Sequence, residues 1–184
     1  MAYLRSIRVY IGISALIFVA TAVMGYLAAG ADPEFAASWT KELEALRWIM
    51  DLSPPMIMVV IFLKNLLACA MSVLLALGLG IMPLLVVTSN GILLGIVAYG
   101  AVQKAGALYV VAGIAPHGII ELPVVLTSIA IGFRLGHVLI LSLLGEDEDV
   151  SGETKKAVIF LAKWAAPLLL VAAAIETFIT PIAI

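Results

Sequence analysis

Apolar residues in this chain gather into long runs, with no alternation of period two and no mixed surface pattern. The runs at 9–31, 56–82, 84–102, 118–144 and 157–184 match the roughly 20 residues a helix needs to cross a bilayer. Arg5 and Arg8 precede the first run, which imitates a secretory leader. It is too long for a cleaved apolar region, so the pattern predicts a retained helix. Between the first two runs, 32–54 is mixed: Trp39, Lys41, Glu42, Glu44, Arg47 and Trp48 suit an external helix at the membrane interface. Ser53-Pro54-Pro55 marks the next helix start, and Pro83 is expected to break the second run.

The stretch 105–115 is apolar but too short to cross. Pro116-His117-Gly118 follows as a breaker cluster. The pattern predicts a re-entrant half-helix that enters from the outer face, breaks at Pro116 and hands over to a full span. Such backbone is tolerated at membrane depth where protein buries it. Glu146 to Asp149 form an acidic loop. The fold class is therefore all-α, a single transmembrane domain over 1–184, with five spans plus one half-helix. No repeat of 20–50 residues supports an inverted-repeat transporter.

Composition agrees: 64% of residues are hydrophobic, 12% are charged and mean hydropathy is +1.21. Soluble domains average about 25% charged. A net charge of −2 gives no basic excess for nucleic acid. One cysteine, Cys69, excludes an internal disulfide and reads as a packing residue. With the N-terminus in the cytoplasm, Arg5, Arg8, Arg134, Lys155, Lys156 and Lys163 lie inside, against Lys41, Arg47 and Lys104 outside. Five crossings then put the C-terminus outside.

Ionisable residues inside spans cost roughly 2.5–3.5 kcal/mol on insertion scales, so they point to function. Lys64, Glu121 and Glu176 are such residues, with His117 at the break. All fall in the outer half at overlapping depth. His117 and Glu121 stand four apart on one face, and Glu176 shares a face with Ala172 and Thr180. Imidazole with two carboxylates suits zinc or a similar divalent ion. Lys64 argues differently, since its ammonium could neutralise either glutamate. The readings are an ion-pair knot, a cation site of His117, Glu121 and Glu176, or a proton relay. Lys64, Asn65, Asn90 and Thr180 form the supporting polar set. Gly91 and Gly95 permit close helix approach, from which a homodimer is expected. His137 beside Arg134 reads as a headgroup neighbour. His-Glu-x-x-His, Gly-x-Ser-x-Gly and P-loop patterns are absent, so the motifs do not argue for an enzyme.

Four segments in order carry a resemblance: Phe62-Leu63-Lys64-Asn65; Asn90-Gly91 with Gly95; Pro116-His117-Gly118-Ile119-Ile120-Glu121-Leu122; and Ile175-Glu176-Thr177-Phe178-Ile179-Thr180-Pro181. Over 55–184 the chain resembles the stage II sporulation protein M family of membrane proteins. The resemblance implies a multi-pass plasma-membrane protein whose signature is the intramembrane polar cluster. The name-giving member is similar to a scaffold that assembles cell-wall-degrading partners. Members also occur in organisms that never sporulate, so the sporulation role does not follow from the motifs. The expected function is a scaffold or accessory role in the cell envelope, with lipid and other envelope proteins as partners. The alternatives are a small permease or cation-binding transporter and, more weakly, an intramembrane metal-dependent hydrolase.

Overall fold

The computed structural model describes residues 2–32, 34, 35, 38, 39, 41, 47–75 and 79–183. Among these no strand occurs. The helices are α1 (Ala2–Ser6), α2 (Arg8–Ala31), α3 (Pro54–Leu74), α4 (Ile81–Ala105), α5 (Ala107–Leu143), α6 (Val150–Phe160), α7 (Ala166–Phe178) and α8 (Thr180–Ala183). A π-helical turn, Leu161–Ala165, joins α6 to α7. Five helical stretches are long and apolar enough to span a membrane, the last running through α6 and α7.

α5 lies at the centre and packs on α2, α3, α4 and α7. It is 37 residues long, or about 55 Å at about 1.5 Å per residue. That exceeds the roughly 30 Å hydrocarbon core. The expected half-helix over 105–115 is not a separate element. α5 runs unbroken through Pro116 and Pro123, and the chain turns at Gly106, where φ is +85°. A proline removes one backbone donor, whereas a break would strip partners from a whole turn, each costing several kcal/mol in lipid. Continuity is the cheaper state, and the positive φ falls on a residue without Cβ.

The second span also ends earlier than expected. α3 stops at Leu74, and Pro83 lies inside the first turn of α4, after a turn at Leu79–Gly80. Proline is tolerated there because the first helical N–H groups have no intrahelical acceptor. The last span starts at Val150, where Asp149 caps it by accepting from Gly152 N at 2.7 Å.

α2 and α4 form the closest pair. A Cβ on Gly91 would overlap Thr21 Oγ1 and Phe18 O; one on Gly95 would overlap Ala22 O and Tyr26 N. Gly25 answers from the other side, against Ile92 O. The Gly-x-x-x-Gly face is thus filled by α2 of the same chain, so these glycines no longer argue for a dimer. At the opposite end of α5, Gly132 and Gly136 admit the backbone of Ser72 and of Gly80. Ile129, Ile131, Val73, Val87 and Leu169 fill the core between these contacts.

On the last span Ala157, Leu161, Ala165, Leu169 and Ala173 are buried at a spacing of four. An α-helix overshoots by about 40° for every four residues. The wider π turn takes back part of that drift, so one face stays inward as far as Glu176 and Thr180.

At the end of the bundle that holds α1, Tyr10 OH hydrogen-bonds His137 Nδ1. Lys156 pairs with Glu153 at 2.7 Å and lies 5.8 Å from the centre of the Tyr3 ring. Burial, and then the Glu153 carboxylate, push the Tyr3 phenol well above its usual range. His137 is thus tied to α2 as well as exposed at the rim. Of the expected interfacial segment 32–54, residues 33, 36, 37, 40 and 42–46 lie outside the described residues, and Arg47–Asp51 form a 3-10 turn rather than an α-helix. Earlier in the segment, Asp32 accepts from the Glu34 and Phe35 amides, and Phe35 and Trp39 pack edge to face.

Two outcomes test this architecture. Gly95→Leu must push α2 from α4, and overpacking of this kind costs about 1–3 kcal/mol; the thermal midpoint of the protein in detergent should fall accordingly. An unchanged midpoint would mean the two helices do not meet at Gly95. Five spans also require residues 2 and 183 to lie on opposite sides. Single cysteines introduced near each end of a Cys69→Ala chain should therefore label with an impermeant reagent from opposite faces.

Candidate metal centre

Three of the intramembrane polar residues converge. His117 and Glu121 stand one turn apart on α5, where the unbroken helix holds them on one face. Glu176 comes from the last turn of α7, which packs on α5. One ligand atom from each of the three lies within 4.8 Å of the others, and all three side chains are half-buried. Thr180, buried, places Oγ1 3.4 Å from His117 Nδ1 and donates to Ile175 O at 3.3 Å.

α3 closes the third side. Asn65 is buried there, and both Asn65 and the exposed Lys64 are near enough to act on the Glu121 carboxyl. Neither makes a hydrogen bond or ion pair of ordinary length to it. Among the described residues the one ion pair within 4.0 Å is Lys156–Glu153, at the other end of the molecule. Glu121 Oε2 is buried without a hydrogen-bond partner, as is Thr177 Oγ1. Asn90 is not part of this group: its amide donates to Val86 O of its own helix at 2.8 Å. One turn deeper, Cys69 of α3 lies beside Ser128 of α5. The two are linked to the site by a four-residue step from Asn65 and a seven-residue step from Glu121, a signal present in the sequence but too common to single out.

The electrostatics are unbalanced. Were both carboxylates ionised less than 5 Å apart, they would repel by about 3 kcal/mol at an effective dielectric near 20; a proton held by one of them removes that cost. The nearby ammonium is exposed and unpaired with either. Positive charge between the three ligand atoms would remove the cost as well. A divalent ion supplies that charge, and the donor set of one imidazole and two carboxylates fits zinc-like ions. Calcium and magnesium favour more oxygen ligands than the cluster offers.

In chelator-treated protein, Glu176→Gln should raise the thermal midpoint, by roughly 2–4 °C per kcal/mol of repulsion relieved for a chain of this size. A lowered midpoint that Lys64→Met then restores would instead identify an ion pair with Lys64.

The family model described as Stage II sporulation protein M matches residues 14–181, nearly the whole chain. No curated protein and no solved structure gives a significant match.

Proposed function

The chain belongs to the stage II sporulation protein M family of membrane proteins, and we propose that it serves the cell envelope as a scaffold or accessory protein whose α3–α5–α7 interface holds a divalent cation. The convergence of His117, Glu121 and Glu176 carries this reading. A bound divalent ion makes the sum of the two carboxylates and the metal zero, which is the cheapest charge state at membrane depth. It also bridges α5 to α7. A cation at that point acts as a clasp between two spans, and a scaffold needs its partner-facing helices held in one arrangement. We place the protein in the plasma membrane, where the resemblance puts its family.

The open question of role separates by measurement. Purified chain should carry about one equivalent of zinc or a related transition metal by elemental analysis. Glu121→Gln and Glu176→Gln should each lose it, while circular dichroism stays helical. Metal-free wild type after purification and zinc addition would defeat the centre. Ion- or pH-dependent flux of a cation into vesicles containing the protein would favour the transporter reading over the scaffold.

A further inference from the structure

The His117 ring meets the Thr180 hydroxyl at Nδ1, and that hydroxyl also has a backbone carbonyl within reach. Thr180 Oγ1 donates to the Ile175 carbonyl at 3.3 Å. A threonine hydroxyl carries a single hydrogen and two lone pairs. The same oxygen lies 3.4 Å from His117 Nδ1; with its hydrogen directed to Ile175 O, it meets the ring with a lone pair. An unprotonated Nδ1 would be repelled by that lone pair; a protonated one donates to it. Neutral imidazole has one N–H, which leaves Nε2 free to bind an ion.

We infer that Thr180 is a positioning residue that fixes the tautomer of His117 and makes Nε2 the nitrogen that takes a divalent cation. The inference rests on the cation reading above and goes beyond it, because it assigns the ligand atom and the residue that selects it. The fold supports the role. Thr180 is 6% exposed, and its turn is held from two sides. Ile179 N bonds Ile175 O at 2.9 Å where α7 ends, and α8, which begins at Thr180, packs on α5. Glu176 and Thr180 stand four apart, so one segment brings both a carboxylate ligand and the group that orients the imidazole. Metal-binding histidines commonly donate their second N–H to an oxygen in this way, which fixes the ring and raises its basicity.

The test uses full-length protein in detergent, zinc as the probe and ¹⁵N-labelled histidine. A His137→Asn background leaves His117 as the one labelled ring. Zinc should shift Nε2 while Nδ1 stays protonated. Thr180→Val should weaken zinc binding by about 10–100-fold, the usual range for loss of such a partner, and Thr180→Ser should restore it. Zinc on Nδ1 in the Thr180-containing protein would overturn the inference even if Thr180→Val fails to fold. Zinc affinity unchanged in a folded Thr180→Val would overturn it as well, and both results would leave the centre itself standing. No zinc binding at all by the wild type would remove the centre and this inference together.

Discussion

A hydrocarbon interior offers the peptide backbone no water, and the architecture follows from that constraint. Every N–H and C=O at membrane depth must find a partner inside the chain. α5 meets the requirement by remaining helical through Pro116 and Pro123, each of which removes one donor. The helix therefore delivers His117 and Glu121 on one face, one turn apart, at a fixed distance. Had the chain opened at Pro116, His117 would stand at the exposed first turn of a new helix, where no preceding turn holds the backbone that carries it. The site depends on a helix that local propensity alone would have broken.

Around this long helix the other spans are held by two kinds of contact. On one side small residues let backbones meet, with Gly91 and Gly95 of α4 against α2. In lipid this close approach counts for more than apolarity, because lipid tails are as apolar as leucine. On the other side, α3 and α7 reach α5 through the polar group at Asn65, Glu121 and Glu176 and through the buried Cys69, Ser72 and Ser128. Ser72 and Ser128 give their hydroxyl hydrogens to Ala68 O and Val124 O of their own helices, so they leave no unmet donor. The orphaned oxygen of Glu121 is what distinguishes the end of this interface that carries Glu176.

Charge is the second constraint on this interface. Lys64 was the natural internal partner for two buried carboxylates. It sits on the outside of α3, exposed, and forms no ion pair with either. One ligand atom each from His117, Glu121 and Glu176 therefore converge with no ion pair to Lys64.

Much of this was readable from residue order. Run length gave five spans, because the thickness of hydrocarbon sets a minimum that no context alters. The high cost of intramembrane charge marked Lys64, Glu121 and Glu176, and the helical period paired His117 with Glu121 and Glu176 with Thr180. Three matters were decided by tertiary structure. The backbone's demand for partners in lipid overrode the local breaking tendency of Pro116. The Gly91–Gly95 face went to α2 of the same chain rather than to a second copy, since spacing shows that a close contact is possible but not with whom. Asn90 bonded back to its own helix and Lys64 stayed exposed and unpaired, while Asn65 was buried beside the cluster, and a π turn between α6 and α7 held the buried face inward as far as Glu176. Side-chain direction across helices depends on the rotation of each helix about its own axis, and that rotation is set by packing between elements distant in sequence.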